Sequence, residues 1–535
     1  MSYNLADLFE SVADAVPDRP AMVSAERRLS YGELDERATR LANYWAGIGI
    51  GAGDHVGLQL RNCTEYIEGM LAAYKLRAVP INVNFNYVEG ELDYVYRDAD
   101  MVALVTHQAF APRVAQVVGE IDELRHVMFV ADDSGQAVDD SFVDYEQSLA
   151  ESSAERDFGP RDSEDLYIVY TGGTTGMPKG VMWHHRDIFF AAMGGGDPDQ
   201  TRGPISAPEE LVERLLAAPL VVLPTPPFMH AAAQWTAFNA LFGGGKIVLS
   251  AHGSFDPEAI WQSIDDEKVF MLVVVGDAMA TPLADTLAAN PDRWDVSSLL
   301  IIASGGALFS PSTKQRLLSM LPGAMIFDGL GASETGLMGA KVSAAGADDP
   351  APHFMVNEHM TVLDEDNRPI EPGSGKMGML ARKGHVPIGY YKAPEKSAAT
   401  FVEVDGERWA IPGDLASVEA DGTILLHGRG SVSINTGGEK VFPEEVESRV
   451  KEHADVLDAV VVGVDDERYG QKVVAVCKTR SGQDLELEEL RDFCRDKLAA
   501  YKMPRDVVCL AEIKRSPAGK ADYPWAKEAA IRALG

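Results

Sequence analysis

Apolar residues recur in two periods along the first part of the chain. A 3.6-residue period predicts helices at 5–15 and from Tyr31 onward, where Leu34, Ala38, Leu41, Ala42 and Trp45 share a face. Ser30 followed by Glu33 has the form of a capping box and sets the start of the second helix. Short apolar runs at 55–60, 79–83, 101–105 and 126–130 read as buried strands. Strands alternating with helices predict a parallel sheet covered on both faces. The polar stretch 131–160 reads as loop.

A second βα region follows, with strands predicted at 246–249, 271–275, 299–303 and 324–327. The segment 197–208, rich in Pro, Gly and Asp, reads as an insertion or mobile stretch. Beyond Asp364 the pattern turns to short β segments broken by turns, which predicts a small β subdomain. Gly428-Arg429-Gly430-Ser431 marks a boundary. The rest has its own apolar runs at 459–464, 473–476 and 507–510, with helices expected at 443–453 and 487–500. The reading is an α/β protein with a large domain over 1–428, a hinge at 429–433 and a small α+β domain over 434–535.

A length of 535 residues fits more than one core. The net charge of −34 argues against nucleic acid or an anionic membrane as partner. It also means that a polyanion site must be made locally positive. Cys63, Cys477, Cys494 and Cys509 have no metal-ligand or disulfide spacing. The first residues lack a signal-peptide pattern, and the most apolar stretch, 215–233, is broken by prolines and holds His230. A cytoplasmic protein without a membrane span is expected, with a homodimer as the one protein assembly considered.

The candidate chemistry starts at Tyr170-Thr171-Gly172-Gly173-Thr174-Thr175-Gly176-Met177-Pro178-Lys179-Gly180, which follows a buried strand. Glycines let the backbone approach an anion, threonines add rotatable donors and Lys179 adds positive charge. This is a loop suited to phosphates. It is not a Walker A loop, because Met177-Pro178 separates Gly176 from Lys179 and Gly180 follows the lysine.

The string resembles the phosphate loop of the adenylate-forming superfamily, which comprises acyl-CoA synthetases, peptide-synthetase adenylation domains and beetle luciferases. Further stretches resemble its motifs in the same order and carry the resemblance over essentially the whole chain. Gly305-Gly306-Ala307 resembles the turn beside adenine. Gly331-Ala332-Ser333-Glu334-Thr335 resembles the motif whose hydroxyl meets the α-phosphate and whose carboxylate helps hold Mg²⁺. The resemblance gives those roles to Ser333 and Glu334, with Thr174 as the second metal-side residue. Leu330 stands where the family has an adenine-stacking tyrosine.

Trp409-Ala410-Ile411-Pro412-Gly413-Asp414 resembles the motif whose aspartate binds the ribose hydroxyls. Gly428-Arg429 resembles the start of the hinge motif, with Ser431 in place of the usual Asp or Lys. Arg515-Ser516-Pro517-Ala518-Gly519-Lys520 resembles the motif of the C-terminal catalytic lysine. The resemblance implies a mobile C-terminal domain that serves two half-reactions. Lys520 acts in the first. Thr436-Gly437-Gly438-Glu439-Lys440 lines the pantetheine tunnel in the second, and His230 resembles the gate between acyl pocket and tunnel. ATP, Mg²⁺, coenzyme A and a carboxylic acid are the implied ligands.

The stretches 172–183, 435–447 and 516–523 are similar to bacterial fatty-acyl and steroid side-chain acyl-CoA synthetases. Phe228, Met229, Trp235, Gly329, Leu330, Gly331 and Met338 are the candidate acyl-pocket residues. None offers a charged partner for an amino acid's ammonium. The expected function is an AMP-forming acid–thiol ligase acting on a bulky hydrophobic acid, with steroid side chains placed ahead of fatty acids. The alternatives are a non-catalytic ATP- or AMP-binding protein, an adenylating enzyme with another acceptor, and a luciferase-like oxidation of the adenylate.

Overall fold

The computed structural model describes the chain except residues 26, 172–176, 199–200, 251–254, 308, 347–352, 430–431, 437–438, 467–469, 496–497, 499 and 516–519. The first helix, Leu5–Ala15, is capped by Asn4, whose side chain accepts from the Ala6 N–H. In the second, Tyr31–Gly47, the reciprocal Ser30–Glu33 capping box is formed, and Leu34, Ala38, Leu41, Ala42 and Trp45 are all buried. An apolar face at helical spacing therefore seats both helices on the core.

The first sheet is parallel throughout, in the spatial order Val79–Asn82, His55–Gln59, Met101–His107, His126–Val130 and Val143–Asp144. Its last strand and the helix Tyr145–Ala150 lie in the stretch expected to be loop. Asp144 caps that helix through the Gln147 N–H, and Tyr145 and Leu149 bury its inner face. Such a short helix carries too little periodicity to stand out of a polar sequence.

The second sheet has fifteen strands among the described residues. Pro20–Val23, Lys246–Val248, Val221–Pro224, Met271–Val274, Ile301–Gly305 and Met325–Ala332 run parallel. The direction reverses at Gly336–Ala344, and the turn-rich β segments continue from there. The small β subdomain is thus an extension of this sheet. A third, antiparallel sheet joins Leu166–Thr171, Lys179–His184 and Gly389–Tyr390. In it Thr171 pairs with Lys179, so the strands on either side of the Gly/Thr stretch run antiparallel to each other. A Walker A loop leads instead from a strand into a helix.

The segment after residue 196 is anchored rather than loose in its described part. The Asp197 carboxylate accepts from the N–H groups of Thr201, Arg202 and Gly203, and Ile205 is buried. The small C-terminal domain has a five-stranded sheet whose long hairpin, Val456–Asp466 with Gly470–Thr479, is joined by the parallel strand Asp506–Cys509. Helices Pro443–Val450 and Leu487–Cys494 cover one apolar face, and Tyr523–Leu534 covers the other.

Candidate active site

The phosphate-loop hairpin is gripped on both sides. Asn82, buried at the end of Val79–Asn82, donates through Nδ2 to the carbonyls of Tyr170 (2.8 Å) and Met229 (2.7 Å). Its Oδ1 accepts from the Tyr170 N–H at 2.7 Å. One amide thus ties the residue before Thr171 to the residue before His230. On the other side, Lys179 Nζ lies 2.9 Å from Asp98 Oδ1 and above the Tyr94 ring. The Tyr170 hydroxyl donates to Asp98 Oδ2 at 3.0 Å. Burial works against the Lys179 charge, but Asp98 outweighs it and holds the ammonium above the ordinary lysine value. Gly172, Gly173, Thr174, Thr175 and Gly176 lie outside the described residues.

His230 caps the helix Ala231–Phe242. Below it, Asn62 donates to the Pro226 carbonyl at 3.0 Å and accepts from the Phe228 N–H at 2.7 Å. The Nε2 of His230 is buried with no hydrogen-bond partner among the described residues. Burial first, and the nearby Lys520 charge second, lower the imidazole to about 4. Lys520 also reaches the Gly305-Gly306-Ala307 turn. Its Cε lies 3.6 Å from where a Cβ on Gly306 would stand, and Gly306 has φ +79°. Residues far apart in the chain thus meet at one place: the turn, His230 and Lys520.

The next strand, Met325–Ala332, lies beside Ile301–Gly305 and leads to Ser333 and Glu334. Trp183 Nε1 donates to the Ser333 carbonyl at 3.0 Å. The Tyr390 hydroxyl donates to Glu334 Oε1 at 2.8 Å, which fixes the carboxylate next to the phosphate-loop sheet. A Cβ on Gly331 would come 2.4 Å from the Gly336 carbonyl, so the chain reverses here only with glycine.

Asp414 starts the strand Asp414–Val418 and pairs in register with Arg429. Beside it, Glu444, from the first turn of Pro443–Val450, packs against Gly428; a Cβ on Gly428 would stand 2.6 Å from its Oε2. Burial, then the neighbouring Glu447, raise Glu444 to about 7. Gly437 and Gly438 lie outside the described residues, and Arg429 is described in its backbone alone.

The acyl-pocket candidates divide. Phe228 and Trp235 belong to the core formed with the N-terminal helices. Leu330 and Met338 turn into a separate core with Phe354, Met360 and Val362. Residues adjacent in a strand face opposite sides, so Gly329 and Leu330 cannot line one wall. Leu330 is thus buried in this second core.

Asn82, Asp98 and Tyr390 were not singled out from the sequence. Asn82 had a faint signal, a polar residue at the end of an apolar parallel strand, where ligand crevices form. Asp98 and Tyr390 had none, since both act on partners far away in the chain.

The chain matches the AMP-binding enzyme family over residues 9–391 and the AMP-binding enzyme C-terminal domain over 445–520. It is 48% identical over 537 residues to a 3-oxocholest-4-en-26-oate–CoA ligase of Rhodococcus rhodochrous, covering 99% of this chain and 96% of that one. It is 47% identical, with the same coverage, to a medium/long-chain-fatty-acid–CoA/3-oxocholest-4-en-26-oate–CoA ligase of Mycolicibacterium smegmatis. The structure of the anthranilate CoA ligase AuaEII in complex with anthranoyl-AMP has the same fold, with a TM-score of 0.86 at 22% identity and coverage of 100% and 99%. The matches to both family models, together with relatives 48% and 47% identical along nearly the whole chain, make the chain a member of the AMP-binding enzyme family.

Proposed function

We propose that the protein joins a bulky hydrophobic carboxylic acid to coenzyme A by way of an acyl-adenylate. The observation that carries this reading is Lys520 reaching the Gly306 turn beside His230. An ammonium there can bridge the acid and the α-phosphate. In the first half-reaction a carboxylate oxygen attacks the α-phosphorus of ATP and pyrophosphate leaves. Lys520 stabilises the charge that develops, Thr171 to Lys179 hold the outer phosphates, Ser333 meets the α-phosphate, and Asp414 binds the ribose. Arg429 reaches the nucleotide from the hinge.

The donors suit a magnesium ion. Mg²⁺ is bound by one or two carboxylates together with phosphate oxygens, and Glu334 offers a carboxylate already fixed by Tyr390. Glu334 and Thr174 would hold the ion, which neutralises phosphate charge when bound.

In the second half-reaction the CoA sulfur forms a bond to the acyl carbon and the C–O bond to AMP breaks. The small domain rotates for it. Gly437 and Gly438 then line the tunnel, and His230 gates it from the acyl pocket. The substrate reading, a steroid side-chain acid ahead of a fatty acid, is supported by what the two ligases above act on. A cytoplasmic enzyme fits these substrates, and among the described residues no helix is long and apolar enough to cross a membrane.

The test is pyrophosphate release with ATP and Mg²⁺ across acetate, fatty, aryl and cholestenoate-type acids, with and without CoA. Multiple turnovers on cholestenoate-type acids that require CoA are expected. ATP binding without pyrophosphate release on any acid would replace the ligase with a nucleotide-binding protein.

A further inference from the structure

A chain of charged contacts crosses the domain interface and has no part in the roles above. Asp277 sits in the first turn of Gly276–Ala289 in the large domain. Its Oδ1 accepts from the Ser310 N–H at 3.0 Å and the Ser310 hydroxyl at 2.9 Å. Ser310 caps Pro311–Met320 just beyond the Gly305-Gly306-Ala307 turn. The other oxygen, Oδ2, lies 3.6 Å from Nζ of Lys451, which ends the helix Pro443–Val450 of the small domain. Lys451 Nζ is also 3.1 Å from Asp458 Oδ1. Asp458 in turn accepts from Arg515 at 2.7 Å through Nε and at 2.6 Å through Nη2. Arg515 forms a β-bridge with Ala521, so it stands at the neck of the segment that ends in Lys520.

These contacts run from Ser310, beside the turn, through Asp277, Lys451 and Asp458 to Arg515, with acids and bases alternating from Asp277 to Arg515. Arg515 is bridged to Ala521, and the adjacent Lys520 has its Cε at Gly306. The side chains of Lys451 and Asp277 are 5% and 10% exposed, so the link between the domains is largely shielded from water. A charge pair out of water is screened little, and losing one partner leaves the other buried alone. Rotation of the small domain takes Lys451 away from Asp277 but keeps it with Asp458, which travels in the same domain. The bridge therefore distinguishes the arrangement with Lys520 at the turn from any rotated one.

We propose that Asp277 and Lys451 are positioning residues for adenylate formation, holding the Lys520 segment at the Gly305-Gly306-Ala307 turn through Asp458 and Arg515. The proposal rests on the ligase reading, and its test separates the two. Asp277→Asn keeps an oxygen for Ser310 and removes the charge facing Lys451. Lys451→Met keeps the length of the side chain, and Lys451→Arg restores the cation. Acid-dependent ATP–pyrophosphate exchange reports the first half-reaction. Thioester formation from supplied acyl-adenylate and CoA reports the second.

Asp277→Asn and Lys451→Met are expected to slow exchange by about tenfold or more and to leave thioester formation at or above the parent rate, with Lys451→Arg close to the parent. Equal losses in both half-reactions, or no loss in either, would overturn the proposal. Hydrogen exchange of the amides at 309–313 gives a second readout that needs no turnover. Lys451→Met, a change in the other domain, should speed that exchange about fivefold or more. An unchanged rate there overturns the bridge even if the parent proves inactive on every acid, a result that would by itself remove the ligase reading.

Discussion

Asp98 holds Lys179 at 2.9 Å, so the lysine of the phosphate loop is already engaged by a carboxylate. The pair is partly exposed, and such a pair contributes on the order of 1 kcal/mol. Phosphates compete with Asp98 for the same ammonium. Asp98→Asn is therefore expected to tighten ATP binding about fivefold, as measured by calorimetric titration with a non-hydrolysable analogue. Weaker binding would mean that Asp98 aims the lysine at the phosphates and does not hold it back.

Lys520→Ala tests the role of the C-terminal lysine. Removing a cation aimed at developing phosphate charge should slow adenylate formation by about a hundredfold or more. Thioester formation from supplied acyl-adenylate should fall far less. Equal loss in both half-reactions would sink the alternation of the small domain between them.

Much of this arrangement is legible in the sequence, for reasons that differ by element. The Ser30–Glu33 box and the stripe from Leu34 to Trp45 are local, and local patterns survive into the fold. The motifs holding Gly306, Glu334, Asp414 and Lys520 are short strings whose order along the chain carries the resemblance. What escapes is pairing between distant residues. Nothing in the sequence around Asp98 points to Lys179, or around Tyr390 to Glu334, because the elements that carry each pair meet only in three dimensions. The side of the strand that Leu330 takes escapes for a similar reason: it is decided by packing against Phe354 and Met360.

His230 predicts a pH dependence of stability. Its folded value of about 4 lies below the ordinary 6.5, so the folded state favours the neutral ring. The contribution is fully present above pH 6.5 and is lost as pH falls through 4. At one unit per 1.36 kcal/mol it amounts to about 3 kcal/mol. His230→Phe should flatten the fall in melting temperature between pH 6.5 and 4 relative to the parent. Parallel melting curves would show that another group sets the acid limb.

Glu444 has the opposite sign. It is pressed against Gly428 and faces Glu447 on its own helix, Tyr523 from the last helix and Asp414 from the large domain, and its value rises from 4.5 to about 7. The stability it lends to this domain arrangement is complete below pH 4.5 and is lost as pH rises through 7. The loss approaches about 3 kcal/mol above neutrality. Glu444→Gln, which cannot ionise, should raise ATP–pyrophosphate exchange over the parent by up to about tenfold at alkaline pH and leave it unchanged in acid. A constant ratio across pH would mean that ionisation of Glu444 does not bear on the domain arrangement.

Asn82 makes the most exacting prediction, because a structural role and a functional one give different results. Asn82→Ala removes three hydrogen bonds and strands the Tyr170 N–H and the carbonyls of Tyr170 and Met229 in a buried setting. At about 1 kcal/mol for each lost bond, stability should fall by about 3 kcal/mol. If that were all, the folded fraction would retain the parent's KM for ATP. The residue before Thr171 and the residue before His230 hang on the same amide, however, so a loosened clamp displaces both the phosphate loop and the gate. Misplacing groups that must be aligned for reaction is costly. At a temperature where the variant is folded, the KM for ATP should rise about tenfold, and thioester formation from supplied acyl-adenylate should slow as well. Asn62→Ala releases the 226–228 turn without touching Tyr170 and should affect the thioester step alone. A parent-like KM in folded Asn82→Ala would reduce the clamp to a contribution to stability.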